Sequence, residues 1–212
     1  MSRLRRRWRP AAVLVAATAT LVASIGWALA GSRAWDTGAW GPGGSMMGQA
    51  VPGSGPVRSL AAAYRAAAGF ADRWGLHVGE VMQFDNNFYA ELIDTAGSRA
   101  TEVLVDPASG AVGLEPGPAM MWNTSYGMMH PAAATTTVPP QRAHQLADQW
   151  LHRNQPGLHA GDPEAFPGYY TLHTLRGGRI MGMLSVHAAT GAVWYHTWHG
   201  RFIAIQEAPQ DH

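Results

Sequence analysis

The residues best suited to chemistry are concentrated near the middle of the chain, where residues 120–130 read MMWNTSYGMMH. Thioether sulfur is a soft ligand that selects Cu(I), and imidazole binds copper in both oxidation states. Gly127 permits a tight reversal of the chain, which would bring the two methionine pairs together. One hypothesis for this stretch is therefore a copper site. Its candidate ligands are Met120, Met121, Met128, Met129 and His130.

Two other interpretations of the same stretch remain open. Methionine is a flexible gap-filler that packs well against aromatic rings, and Trp122 and Tyr126 lie among the methionines. The stretch would then form a hydrophobic seam between two halves of the protein. In the third interpretation, the methionines form an adaptable surface that binds a peptide.

The C-terminal part of the chain is rich in histidine, with His173, His187, His196 and His199. Residues at i and i+2 share one face of a strand, so His196 and His199 would point to opposite faces of a regular strand. We therefore expect histidines that are satisfied or exposed, and not a histidine metal cluster.

The sequence contains none of the common catalytic motifs. It has no H-E-x-x-H, no G-x-S-x-G, no phosphate-binding loop and no dinucleotide-binding glycine motif. The lack of cysteine excludes thiolate zinc sites and cysteine nucleophiles. We predict that the protein is not an enzyme.

An aromatic run, WYHTWH at residues 194–199, together with Tyr169 and Tyr170, is a candidate recognition surface. Small sheets with exposed edges can accept a peptide as an added strand, and Trp and Tyr are frequent interface anchors. The same residues are also ordinary cover for a small core, which is the interpretation we favour.

Residues 1–31 are predicted to form a signal peptide or a membrane anchor. Several arginines precede an uncharged run from Ala11 to Ala30, which is long enough to cross a bilayer as a helix. The run ends in Ala28-Leu29-Ala30, which also fits a signal-peptide cleavage site. In both cases the rest of the chain lies outside the cytoplasm, either anchored in the membrane or secreted. A flexible Gly/Pro linker follows at 32–56.

The charge balance beyond this leader argues against nucleic acid as a partner. Residues 31–212 carry ten arginines and fourteen acidic residues, a net charge of −4 with histidine neutral. No basic stripe is left to follow a phosphate backbone.

Hydrophobic periodicity predicts a helix followed by short strands in each half of the chain. The first helix is expected at 57–74 and the second at 142–153. The strands of the first half are expected at 80–84, 87–94, 100–105 and 111–114. Residues 87–112 align with 168–193 without a gap, which indicates an internal duplication.

The segment Asp106-Pro107-Ala108-Ser109-Gly110-Ala111-Val112 resembles the closing hairpin of PepSY domains, D-x-x-[ST]-G-x-V. The resemblance covers residues 57–115 and, more loosely, 138–195, where His187 replaces the aspartate. It implies an extracytoplasmic module that in some cases inhibits or regulates peptidases, and it supplies no catalytic residues.

The sequence therefore predicts an α+β protein of two repeated units, each a helix on a small antiparallel sheet, behind an N-terminal signal or transmembrane helix. The first unit is expected at 57–118, a Met-rich connector at 119–137, the second unit at 138–206 and a tail at 207–212. The expected function is an interaction or regulatory module, with an exported peptidase as the candidate partner that it restrains. The alternative is a copper-binding envelope protein that uses the connector.

Overall fold

The structure, a computed structural model, describes residues 50–129 and 135–207. The predicted leader, most of the linker, His130 and the end of the predicted tail lie outside the described residues. Within the described ranges, no helix has the length and apolar character needed to cross a membrane.

The first half begins with helix α1, Leu60–Ala71, and a 3-10 turn at Asp72–Trp74. The Ser59 hydroxyl accepts a hydrogen bond from the Ala62 N–H at 3.2 Å, which caps the first turn of the helix. Gly75 ends the segment in the left-handed region, where glycine carries no steric penalty. The side chains of α1 that are buried are Ala63, Ala67, Phe70 and Ala71.

Four strands follow α1: β1 His77–Phe84, β2 Phe88–Ile93, β3 Arg99–Val105 and β4 Val112–Leu114. They pair antiparallel in the order in which they occur in the chain. Nearly every residue of β1, β2 and β3 is buried. Both faces of this sheet are therefore covered, and α1 covers one of them.

The short helix α2, Pro118–Met121, lies between the halves, and the second half begins with helix α3, Pro140–Asn154, which the second sheet follows. Its strands are β5 His159–Ala160, β6 Glu164–Phe166, β7 Tyr169–Arg176, β8 Arg179–His187 and β9 Val193–Tyr195. The order is β5-β7-β8-β9, with β6 also paired to β7. Helix α3 covers one face of this sheet through Ala143, Ala147 and Leu151.

The two sheets pack against each other through the faces that the helices leave free. Met82, Tyr89 and Leu104 of the first sheet form one buried cluster with Met183 of β8. Alternate residues of a strand point to opposite faces, so Val81 and Val103 lie under α1 while Met82 and Leu104 meet the second sheet. The packing order is therefore helix, sheet, sheet, helix.

The last strand, β10 at Phe202–Gln206, leaves the second half and pairs antiparallel with β1. The first sheet thus has the order β10-β1-β2-β3-β4. Residues 196–201 form the crossover between β9 in one sheet and β10 in the other. The sequence interval 138–206 contributes strands to both sheets, which periodicity alone does not predict.

The α+β prediction is confirmed for the described residues, and both helices and the four strands of the first half lie close to their expected positions. One segment differs from its expectation. Val51, expected in the flexible linker, exchanges backbone hydrogen bonds of 2.7 and 3.0 Å with Val112. The reason is that β4 offers a free edge, and an unpaired backbone edge gains hydrogen bonds from any extended segment that reaches it.

Candidate functional site

The Met-rich connector folds back on itself at Gly127. The Met128 N–H donates to the Met120 carbonyl at 2.9 Å, so the two methionine pairs do approach through their backbones. A Cβ at Gly127 would lie 2.4 Å from the Asn123 carbonyl oxygen and 2.9 Å from that of Met120. No larger residue fits this reversal without movement of the backbone around it.

The four methionine side chains of the connector divide into two kinds. Met120 and Met128 are partly buried against the core under α1. Met121 is 46% exposed and Met129 is 65% exposed. His130, the fifth predicted ligand, lies outside the described residues.

The connector also contacts both halves of the protein, as the seam interpretation expects. The buried Asn123 donates from Nδ2 to the Ala100 carbonyl in β3 at 2.8 Å. Trp122 packs beside Phe166 and Tyr169 of the second half, and its ring centroid lies 5.0 Å from that of His187.

A different cluster, not predicted from the sequence, lies in the interior at the junction of the two sheets. Glu115 follows β4, and its N–H donates to the Glu102 carbonyl at 2.9 Å. His196 and His199 belong to the crossover. All three side chains are almost completely buried, between 0% and 4% exposed as residues. We call these three residues the Glu115 cluster.

The distances within the Glu115 cluster are short. Glu115 Oε1 lies 3.3 Å from His196 Nδ1 and 2.9 Å from His199 Nε2. The same oxygen accepts a hydrogen bond from the Trp198 indole N–H at 3.0 Å. The two ring nitrogens have no hydrogen-bond partner of good geometry, and Glu115 Oε2 has none either.

The other nitrogen of each imidazole ring has a polar neighbour. His199 Nδ1 lies 2.9 Å from Asn87 Oδ1, and His196 Nε2 lies 3.0 Å from Ser185 Oγ. Phe84 stacks on the His199 ring at a centroid distance of 4.3 Å, and Trp198 stacks on His196 at 4.6 Å. Each imidazole ring is therefore fixed by a polar contact at its edge and by an aromatic ring stacked on its face.

Burial acts in opposite directions on the pKa values of Glu115 and His199, although both pKa values lie below their usual values. Burial alone would raise the pKa of Glu115, but its interactions with the two histidines outweigh this and lower the pKa far below its usual value. Burial lowers the pKa of His199, although Glu115 opposes the shift. The carboxylate of Glu115 is thus ionised at neutral pH, while the interior disfavours a proton on His199.

A second buried carboxylate lies next to this cluster. Glu102 accepts hydrogen bonds from the Tyr89 hydroxyl at 2.8 Å and from the Tyr169 hydroxyl at 2.7 Å. Burial, followed by the negative charge of Glu115, raises the pKa of Glu102 well above its usual value.

An ionic cluster also bridges the sheets at a more accessible place. Arg99 contacts Glu91 Oε1 through Nε at 2.7 Å and Glu164 Oε1 through Nη2 at 2.8 Å. His173 Nε2 in β7 lies 3.3 Å from Glu80 Oε1 in β1. The net effect of burial, opposed by Arg99, is to raise the pKa of Glu91 to about 7.

The expectation that His196 and His199 point to opposite faces is wrong. Strand β9 ends at Tyr195, so the alternation of faces does not extend to these residues, and the crossover turns both rings toward Glu115. Sequence reasoning also missed Glu115, whose only signal is an acidic residue directly after a buried strand. In the aromatic run, His196 and His199 are buried and Trp194, Tyr195 and Trp198 are partly buried, while Tyr169 and Tyr170 are both buried.

Comparison with known proteins adds little to this description. Neither a protein-family model nor a curated protein matches the sequence. The chain is similar to a solved structure, the Bacillus megaterium YpeB C-terminal domain, with 12% sequence identity and a TM-score of 0.29. The similarity covers 74% of this chain and 68% of that chain. A likeness this distant carries no argument about fold or function.

Proposed function

We propose that this protein is an extracytoplasmic, non-enzymatic interaction module built from two PepSY-like units, and that it restrains an exported peptidase. The observation that carries the interaction role is the exposure of Met121 and Met129 on the connector. Among the described residues, the exposed large hydrophobic side chains are Met121, Met129 and Ile203. Exposed methionines provide an adaptable apolar surface for a protein partner.

Two hairpin turns support the proposal that the halves derive from one repeated unit. Asp106 Oδ1 accepts from the Ser109 N–H at 2.7 Å, and the turn closes with the Gly110 N–H on the Asp106 carbonyl at 2.8 Å. In the second half, the Gly191 N–H donates to the His187 carbonyl at 2.9 Å. Gly110 and Gly191 both have φ of 73°.

The substitution of His187 for the aspartate fits this proposal. His187 Nδ1 lies 2.8 Å from the Thr190 hydroxyl and accepts from the Thr190 N–H at 3.3 Å. A ring nitrogen thus takes the place of the Asp106 carboxylate in the second turn. Although the second turn departs from the PepSY sequence pattern, it keeps hydrogen bonds between the first side chain of the turn and the residue three positions later.

The extracytoplasmic location and the peptidase partner rest on the sequence alone, through the apolar N-terminal run and the PepSY resemblance. The test uses the full-length chain, in its exported form, with the secreted peptidases of the same cells and casein as substrate. We expect the wild-type chain to inhibit casein hydrolysis. The double variant Met121→Glu, Met129→Glu should lose this inhibition, because it places charge in an apolar contact.

Ile203→Glu provides a matched control, since Ile203 is also exposed but lies on β10, away from the connector sequence. Inhibition that survives the double methionine change, or that is lost equally in the Ile203 control, would contradict the assignment of the connector as the contact surface. A wild-type chain without effect on any secreted peptidase would remove the peptidase from the proposal.

A second candidate function is copper binding by the connector, favoured by the reversal that pairs the Met120 and Met128 backbones. Titration with Cu(I) against a competing chelator tests it. Replacement of all four connector methionines by leucine nearly conserves volume, so a hydrophobic seam should tolerate it. A thioether site should lose its copper in that variant, and Cu(I) binding no tighter than about micromolar in the wild type would remove this candidate.

A further inference from the structure

The Glu115 cluster brings three potential metal ligands together in the interior. Glu115, His196 and His199 each offer one ligand atom, and these atoms lie within 4.8 Å of one another. A buried polar atom without a hydrogen-bond partner destabilises the folded state. Three such atoms occur in this one cluster: Glu115 Oε2, His196 Nδ1 and His199 Nε2.

The hydrogen bonding around His199 determines which of its nitrogens carries the hydrogen. Asn87 Nδ2 donates to the Trp198 carbonyl at 3.2 Å, which leaves the Asn87 Oδ1 as the acceptor that faces His199 Nδ1. Nδ1 therefore carries the hydrogen, and a neutral ring presents a lone pair from Nε2. That lone pair lies 2.9 Å from an oxygen of Glu115. Two electron pairs at this distance repel each other unless a proton or a cation neutralises them.

We propose that Glu115, His196 and His199 bind one divalent first-row transition-metal ion, with Zn²⁺ as the reference ion. Ligands about 2.0–2.1 Å from a tetrahedral zinc ion are about 3.3 Å apart. The distances of 3.3 and 2.9 Å within the cluster are close to this spacing. Two imidazoles and a carboxylate form a donor set that suits such ions, and the set contains no thioether or thiolate of the kind that selects Cu(I).

The residues around the cluster have the arrangement expected beside metal ligands. A metal-bound histidine usually donates its other ring hydrogen to an oxygen acceptor, which orients the ring. Asn87 Oδ1 accepts from His199 in this way, and Ser185 Oγ lies 3.0 Å from His196 Nε2, the ring nitrogen that is not the candidate ligand. The Trp198 indole N–H orients the carboxylate of Glu115.

The position of the cluster indicates what a bound ion would do. Two ligands lie on the crossover, and the third lies at the end of β4 in the first sheet. The crossover is also attached to the β1–β2 turn, where the Asn86 N–H donates to the His199 carbonyl at 3.1 Å. An ion here would join the segment that leads into β10 to the first sheet. This is a structural role for the ion, separate from any activity of the connector.

Metal analysis of the full-length chain tests the proposal. The protein is stripped with a chelator and dialysed against Zn²⁺, and the bound metal is measured by mass spectrometry. We expect one ion per chain and a rise in the thermal midpoint on binding. Substitution with Co²⁺ should give the visible absorption bands of a cobalt ion with nitrogen and oxygen ligands.

Single substitutions then identify which residues bind the ion. Glu115→Gln and His199→Gln should each weaken Zn²⁺ binding by at least about 100-fold, and Asn87→Ala by about 10- to 100-fold. His173→Gln is the matched control, since that histidine also contacts a buried glutamate but lies outside the cluster. The connector variant with four leucines should retain its Zn²⁺, which separates this site from the copper candidate. Far-UV circular dichroism shows whether each variant has folded.

Each outcome decides the proposal. If the folded wild-type chain binds no Zn²⁺ or Co²⁺, the cluster is a proton-bridged ion pair and the proposal is wrong. If the wild type binds metal but Glu115→Gln and His199→Gln, both folded, bind it equally well, the ion lies elsewhere. Should these variants fail to fold, the Co²⁺ spectrum of the wild type still decides, because a spectrum without imidazole ligation would exclude the cluster.

Discussion

At the scale of single residues, the protein concentrates its polar chemistry in the interior between the sheets. Two carboxylates, Glu102 and Glu115, are completely buried. Burial of a carboxyl group is costly unless it is hydrogen-bonded, and the cost is larger when the group is ionised. Glu102 meets this requirement with two tyrosine hydroxyls. Glu115 meets it only in part, and this difference distinguishes a structural carboxylate from a candidate ligand.

The two tyrosines at the start of β7 should differ in their contribution to stability. The Tyr169 hydroxyl is hydrogen-bonded to the completely buried side chain of Glu102, whereas the Tyr170 hydroxyl donates to the backbone carbonyl of Val138 at 2.9 Å. We expect Tyr169→Phe to lower the free energy of unfolding by about 1–3 kcal/mol, because it leaves a completely buried oxygen of Glu102 without that partner, and Tyr170→Phe by about 0.5–1.5 kcal/mol. Urea denaturation measures both, and equal losses would show that the burial of Glu102 adds nothing.

Glu91 should make the stability of the fold depend on pH. Its pKa is raised in the folded state to about 7 from an ordinary value of 4.5. The contribution of Glu91 to stability is therefore fully present below about pH 4.5 and is lost as the pH rises through 7. In denaturation experiments, Glu91→Gln should gain stability relative to the wild type between pH 5 and pH 8. A constant difference across this range would contradict the raised pKa.

At the scale of elements, the helices and strands are regular, and the candidate site residues lie mainly in two irregular segments, the connector and the crossover. The connector reverses within a few residues, caps its own turn through Asn123 Oδ1 and contacts both halves. The crossover carries two histidines into the interior. Both segments have irregular backbones whose conformation depends on the elements that they pack against.

Two glycines that belong to different elements should respond in opposite ways to alanine. Gly127→Ala should lower the free energy of unfolding by about 1–3 kcal/mol, because the added Cβ would overlap backbone oxygens of the connector. Gly69→Ala in α1 is the control. Its Cβ would meet no atom within 4 Å, and alanine should stabilise the helix by up to about 1 kcal/mol. Thermal denaturation measures both, and a Gly127→Ala variant as stable as the wild type would show that the reversal is not constrained.

At the scale of the whole molecule, we expect the two sheets to unfold as one unit, because they share the buried cluster around Met183 and because the second half supplies a strand to the first sheet. Strand β10 comes from the end of the chain and completes the first sheet beside β1. Met183 of the second sheet is completely buried among residues of the first. Neither half can form its full set of contacts alone.

Met183→Ala should therefore destabilise the whole molecule, by about 2–5 kcal/mol, and not only the second sheet. We expect tryptophan fluorescence and far-UV circular dichroism to report one coincident unfolding transition in both the variant and the wild type. Ile203→Ala, at an exposed position, should change stability by less than about 0.5 kcal/mol. Two separate transitions in Met183→Ala would indicate that the sheets fold independently.

The sequence by itself determined the local elements of this protein. Helical and strand periodicity, turn residues such as Asp106 and Gly110, and the match between residues 87–112 and 168–193 were enough to predict an α+β fold. Periodicity and turn residues can be read from the sequence because they depend on neighbours a few residues apart.

Only the tertiary structure decided which elements come together. The pairing of β10 with β1 and the meeting of Glu115 with His196 and His199 join residues about 80 to 125 positions apart. No local spacing encodes contacts of this kind, because they arise when two sheets bury their remaining apolar faces against each other. The sequence indicated the connector methionines as candidate ligands, whereas the fold brings a different candidate set, the Glu115 cluster, together in the interior.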